Sequence, residues 1–502
     1  MSTVLLSVVV AVGPITDQVD DAPRTAREDA VAATEGSFEA QGDGPWELVL
    51  TEGAGSLAAR LNAAVARTTG RFVAVVEAGD RLEPGALAAV AGMIRAREGG
   101  AQEPGVVYTD EQWEGEGAAG IFIKPRWVPR YLEGYSYLGR LCFVRRDLLD
   151  AAGAWRDDHA PVREWDLHLR VTELTDDVVH VPVLGVARVN PPADDVEARE
   201  AGRRAVTARY DRRGVAATVE LTGEGDEPGG FVRVWRESGT PLVSIVVPTA
   251  GGRRRVRGQD RVLVENLLTS LLARTTYPAW EIVLVPSEGT PEDVLERCTA
   301  LLGERLHVAP VAGPFNFSRS VNTGVAAAAG ELVLLLNDDT EVLEPRWLDR
   351  MVAVAAEEGV GAVGAKLLFE DGRIQHVGVT FDNAGQAGHA YIFEREDAGH
   401  FGSKVVDLDY LAVTGACLLV RRSVYEEVGG FTEALPLNYN DVDFCLKVVA
   451  SGRGIVCTPF ARLYHYESST RDTTKTADEA QAMDWWYPRT LTDPYVNVRG
   501  LG

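Results

Sequence analysis

The stretch Gly330-Glu-Leu-Val-Leu-Leu-Leu-Asn337-Asp338-Asp339-Thr-Glu-Val-Leu-Glu-Pro345 decides how this chain is read. Its apolar run, Leu332 to Leu336, has the character of a buried strand and delivers Asp338 and Asp339 to the strand's C-terminal end. Open α/β sheets bind their ligands at that edge. Adjacent carboxylates there suit a divalent cation held against a diphosphate, because hard oxygen ligands favour Mg²⁺ or Mn²⁺. A solvated turn after a buried strand would explain the segment equally well, so the rest of the chain has to decide.

Working outward, much of this segment's context occurs twice. Leu6-Ser7-Val8-Val9-Val10 matches Val243-Ser244-Ile245-Val246-Val247, and Trp46-Glu47-Leu48-Val49-Leu50 matches Trp280-Glu281-Ile282-Val283-Leu284. Asn62 and Gly70 with Phe72–Val76 match Asn322 and Gly330 with Leu332–Leu336. Val144-Arg145-Arg146 with Gly153 parallels Val420-Arg421-Arg422 with Gly429, and Trp165-Asp166-Leu167 parallels Val442-Asp443-Phe444. Matches in one order imply a tandem of two α/β domains. Apolar β-type runs alternating with Ala- and Leu-rich helical stretches predict mostly parallel sheets covered by helices. The expected layout is a first domain over 1–221, a Gly- and Pro-containing linker over 222–240, a second domain over 241–471 and an aromatic tail over 472–502. The copies diverge where chemistry would sit. Asn337-Asp338-Asp339 is replaced by Glu77-Ala78-Gly79, and the late His465 falls where the first copy runs Val186-Ala187-Arg188.

Composition narrows the class. A 502-residue chain with 46% hydrophobic and 25% charged residues is typical of soluble globular protein in more than one domain. A formal charge of −24 argues against a nucleic-acid partner and against broad contact with anionic lipid. The patch Arg253, Arg254, Arg255 and Arg257 leaves peripheral membrane contact open, although a solvated loop also accounts for it. Cys142, Cys298, Cys417, Cys445 and Cys457 form no CxxC pair and read as buried thiols in a reducing compartment. Val4 to Val12 is too short to span a bilayer and reads as a strand, so a cytoplasmic protein is expected.

The second copy resembles the family 2 inverting glycosyltransferases of GT-A fold, closest to the bacterial branch that builds O-antigen, rhamnan and other cell-surface polysaccharides. The resemblance rests on Val243–Thr249, Asn316-Phe317-Ser318-Arg319 with Asn322-Thr323-Gly324, Leu336–Asp339, Thr414-Gly415-Ala416-Cys417, Gly429-Gly430-Phe431, Asn440-Asp441-Val442-Asp443 and His465. The first copy resembles the degenerate amino-terminal module of tandem members through Tyr108-Thr109-Asp110-Glu111 and Lys124-Pro125-Arg126-Trp127.

The resemblance implies a nucleotide-sugar donor bound by Pro248, Thr249, Arg319, Asn322 and Asp338. It implies Mn²⁺ or Mg²⁺ held by Asp339 and His465, and Asp441 as the base that takes the acceptor hydroxyl's proton. Asn440-Asp441 also fits a helix cap. Gly415, Ala416, Asp443 and Trp485 are candidates to meet a glycan or lipid-linked glycan acceptor, with Asp443 also placed to buttress a neighbouring Arg or Lys. The tail with Trp485, Trp486 and Tyr487 is expected to pack back on the second domain or to line an acceptor groove. The first domain is expected to be catalytically inert or metal-independent, a platform for acceptor binding or dimerisation, with Glu164 beside Asp166 in its equivalent of the base motif leaving a second activity open. Pro286-Ser287-Glu288 departs from the family's usual acidic residue after the second strand, which leaves the nucleobase open. Two rivals remain: a non-catalytic glycan-binding scaffold, and a nucleotidyltransferase.

Overall fold

The computed structural model describes residues 4–13, 24–98, 103–113, 120–190, 195–223, 230–382, 384–466, 476–490 and 493–495. The chain divides into two compact units at Val234 and Trp235.

In the second unit the apolar runs found in the sequence become the centre of one sheet. Val243–Thr249 pairs in parallel with Trp280–Pro286 on one side (Val243 opposite Trp280) and Leu332–Leu336 on the other (Val243 opposite Leu332). The sheet order is 306–308, 280–286, 243–249, 332–336, 417–421, 360–368, 454–465, 340–342. These strands read as continuous Val, Ile and Leu because both faces are covered. Val243, Ile245, Val247, Leu332, Leu334 and Leu336 enter one core with helices Leu263–Arg274, Glu292–Leu302 and Trp347–Ala355. Val246, Val333 and Leu335 enter the other, with Phe317–Ala327 and Asn440–Ala450. Each fully buried aliphatic side chain contributes about 1.5–3 kcal/mol.

The first unit follows the same order without the outermost strand: 46–50, 6–11, 72–77, 143–145, 106–113, 178–188, 81–82. Leu6 again lies opposite both Trp46 and Phe72. A β-carbon on Gly70 would lie 2.4 Å from Ser7 Oγ, and one on Gly330 2.5 Å from the Leu242 carbonyl oxygen. Glycine is therefore required where the third strand starts beside the first.

Within the boundary segment the run Phe231–Trp235 has the sequence character of a short strand, and a strand forms there. Val232–Arg236 is a strand paired with Ala217–Leu221. Gly225, Pro228 and Gly229 lie outside the described residues. The basic segment after Thr249 is an antiparallel hairpin, Arg253–Val256 against Gln259–Val262, rather than a solvated loop. All five cysteines are free and buried. No helix among the described residues is long and apolar enough to cross a membrane.

Candidate functional site

The carboxylate pair sits where the central strand leaves the sheet. The Asn337 N–H donates to the Ala416 carbonyl at 3.0 Å, and Tyr466 N–H donates to the Asp339 carbonyl at 2.8 Å. Thr340 lies opposite His465 in the sheet register. Three strand ends therefore meet at Asp338 and Asp339. Asp338 Oδ2 accepts from Thr249 Oγ1 at 2.6 Å. Burial and the neighbouring Asp339 charge push the Asp338 carboxyl up from 3.8 to about 7. Asp339 experiences the same burial, but its partner His465, with a contribution from Arg254, holds it below the usual carboxylate range.

His465 is oriented from behind. Its Nδ1 lies 2.6 Å from Gln375 Oε1, so this nitrogen is the protonated donor. That leaves Nε2 aimed at Asp339 Oδ1, 3.1 Å away, with Asn337 Nδ2 3.3 Å from the same ring nitrogen. Among the described residues Asp339 Oδ1 and Asn337 Oδ1 are buried oxygens without a hydrogen-bond donor. With His465 protonated, Asp339 has an ion-pair partner; with the imidazole neutral, the Nε2 lone pair and these two oxygens together fit a divalent cation, and the Gln375 contact is the kind that fixes a ligating histidine's tautomer. No group of three or more His, Cys, Asp or Glu side chains encloses a metal site among the described residues, so water and ligand oxygens would complete the shell.

Asp441 stands on the adjoining edge. It lies in the first turn of Asn440–Ala450, and its Oδ2 accepts from the Gly415 N–H at 2.9 Å. A β-carbon on Gly415 would come within 3.3 Å of Asp441 Cβ, so the glycine admits the carboxylate. Tyr439 holds the N-cap position, in a left-handed conformation with φ 58°, while Asp441 Oδ1 accepts from the Val442 N–H of the first turn at 2.9 Å. The remaining lone pairs of a half-buried carboxylate are free to take a proton from an incoming hydroxyl.

Other expected residues fall differently. Pro248 and Thr249 end the first strand as expected. Arg319 folds back on the carbonyl of Pro314 at the start of its helix. The Asn322 amide is engaged within the chain. Its Oδ1 accepts from Tyr425 Oη and the Phe431 N–H, and its Nδ2 donates to the Phe431 carbonyl and Glu433. An amide with all four positions filled braces the 425–433 turn. Asp443 accepts from Thr432 Oγ1 at 2.7 Å and Trp486 Nε1 at 2.9 Å and pairs with Lys447 Nζ at 3.2 Å, contacts that fit the buttressing role. Ala416 is buried, with its carbonyl on Asn337. Trp485 is 76% exposed, whereas Trp486 is packed inside. Gln375, Glu479 and Trp486 were not singled out as site residues. Thr476-x-x-Glu479 is a readable capping-box pattern, but a glutamine inside an apolar strand carries no such signal.

The first unit lacks this arrangement. Arg140 contacts Glu77 at 2.6 Å and also Asp80, while Arg163 contacts Glu77 at 2.9 Å. Arg188, at the strand position of His465, pairs with Glu111 at 2.8 Å, and Lys124 reaches the same carboxylate at 3.1 Å. Guanidinium and ammonium groups of the chain neutralise these buried carboxylates.

Such a site, carboxylates and an oriented histidine at the strand ends of an α/β sheet, agrees with the family assignment of this half. Residues 241–485, just under half of the chain, match the profile described as Glycosyltransferase like family 2. The chain is similar to the protein named Uncharacterized protein y4gI of Sinorhizobium fredii (strain NBRC 101917 / NGR234), with 35% identity over 474 residues, covering 90% of this chain and 50% of that one. It is also similar to the O-antigen biosynthesis protein RfbC of Myxococcus xanthus, with 34% identity over 460 residues, 89% of this chain and 34% of that one. The chain thus spans about half the length of one relative and about a third of the other. Among solved structures, GalNAc-T7 with UDP, GalNAc and Mn²⁺ is 14% identical with a TM-score of 0.41, over 56% of each chain.

Proposed function

We propose that the second unit is a divalent-cation-dependent, inverting glycosyltransferase that moves a hexosyl or rhamnosyl group from a nucleotide-sugar donor to a cell-envelope polysaccharide or lipid-linked glycan. The observation that carries this reading is the orphaned Asp339 Oδ1 facing His465 Nε2, on the sheet edge that also presents Asp441. The printed role of the O-antigen relative supports the acceptor class. Mn²⁺ or Mg²⁺ held by Asp339 and His465 would supply neutralisation of the leaving diphosphate.

The chain's own residues do the rest. Thr249 and Gln375 fix the directions of Asp338 and His465. Asp441, held by the Gly415 N–H, removes the acceptor hydroxyl's proton as that oxygen attacks opposite the departing nucleotide. The first unit, a decayed GT-A-like copy in this reading, is a non-catalytic platform for acceptor binding or self-association. Its carboxylates are already neutralised by Arg140, Arg163, Arg188 and Lys124.

Full-length protein assayed against a donor panel with Mn²⁺ should release nucleoside diphosphate, not pyrophosphate, and only with the cation present. Asp339→Ala should lower turnover roughly 10³-fold. Asp441→Asn should lower it roughly 10²- to 10⁴-fold without weakening donor binding. Turnover unchanged in either variant rejects the roles assigned. Pyrophosphate as the product would indicate nucleotidyl transfer instead.

A further inference from the structure

We infer that the helix Ala477–Thr490 positions Asp441, acting through Glu479 and Trp486; this rests on the reading of Asp441 as the base.

Glu479 is a fully buried carboxylate with two tasks. Its Oε2 accepts from the Thr476 N–H at 2.7 Å while Thr476 Oγ1 accepts from the Glu479 N–H at 3.1 Å, a reciprocal cap on its own helix. Its Oε1 also accepts from the backbone N–H of Asn438 at 2.7 Å, and Oε2 from Asn438 Nδ2 at 3.3 Å. Trp486 lies a heptad further on, close to two helical turns, and so on the same face. Its Nε1 donates to Asp443 at 2.9 Å.

One rigid element therefore grips the chain on both sides of Asp441, at Asn438 and at Asp443. Between the grips sits Tyr439, whose φ of 58° is unfavourable for a bulky side chain. Such a conformation persists only where its surroundings over-determine it. Releasing Asn438 would let Tyr439 relax and turn the first helical residues, and Asp441 would lose its line to the reacting hydroxyl. Donor and cation contacts, which come from Thr249, Asp338, Asp339 and His465, would be unaffected.

The test uses the full chain, with steady-state kinetics and amide hydrogen exchange. Glu479→Ala should lower kcat roughly 10- to 100-fold with donor KM within about two-fold, and should speed exchange over 438–443. Trp486→Phe, which keeps an aromatic ring but loses the indole N–H, should have a smaller effect of the same kind. Thr476→Ala removes the cap but leaves Glu479 on Asn438, so it should lower Tm while holding kcat within about two-fold. Full kcat in Glu479→Ala overturns the inference, as does a Thr476→Ala loss equal to that of Glu479→Ala. A wild-type chain that turns over no donor instead removes the base reading, and this proposal with it.

Discussion

In the first unit Asn62 donates to the Trp155 carbonyl and accepts from the Trp155 N–H; in the second, Asn322 does the same to Phe431. Ser7 donates to Glu47 and accepts from the Gly70 N–H, as Ser244 does with Glu281 and the Gly330 N–H. Arg146 reaches the Gly70 carbonyl and Arg422 the Gly330 carbonyl, each at 2.9 Å. Frame contacts thus repeat almost atom for atom, while the edge holding Asp338, Asp339 and His465 has become a set of internal ion pairs in the first unit. By the spacing of the matched segments, Glu164 falls at the place of Asp441, and there it is paired with Arg163 at 3.0 Å. Repetition marks what folding demands of both halves. Divergence falls where the proposed function places a ligand in the second unit alone.

This contrast can be broken most forcefully at Arg140. Arg140→Ala leaves Glu77 and Asp80 short of their main partner in a buried setting and should destabilise the first unit by about 3–5 kcal/mol in urea unfolding. A loss below about 1 kcal/mol would mean that these carboxylates are not held by internal neutralisation. Next come Asn62→Ala and Asn322→Ala, each of which strands a backbone N–H and carbonyl and should cost about 1–3 kcal/mol. If Asn322→Ala kept its Tm but lost donor binding, the asparagine would return to the nucleotide site and the parallel between the halves would fail.

The smallest effect is in pH dependence, where the two edges have opposite signs. Glu77, despite burial, is held low by Arg140 and Arg163, so its stabilisation is present above the ordinary carboxylate range and is lost as pH falls through its lowered value. Asp338 is raised from 3.8 to about 7, so its contribution is greatest below about 4 and is lost as pH rises towards 7. In EDTA, the thermal unfolding of the second unit should therefore weaken from pH 5 to 7, and Asp338→Asn should flatten the trend. A wild-type trend that persists unchanged in Asp338→Asn would remove that assignment.

Much of the frame was legible because it is local. Runs such as Leu332–Leu336 and Val243–Val247 read as buried strands, and their pairing follows from repetition. The carboxylates, His465 and Asp441 were legible for the same reason, as motifs at strand and helix ends. The bracing contacts of Asn322 are not legible, because nothing in a helix sequence says which way an amide turns; its partners lie about a hundred residues away, at Phe431 and Glu433. The Asp443 contact with Trp486 is not legible either, because Trp486 arrives from the tail. Gln375 was invisible for want of any pattern. Long-range polar closure, unlike strand periodicity, leaves no local trace.

The arginine-filled edge has a consequence for the living cell. A domain carrying its own counter-charges has no need of a metabolite to settle them. If the second unit holds cation and donor as proposed, their arrival would ease the crowding of Asp338 and Asp339, and scarcity of either would be felt by that unit alone.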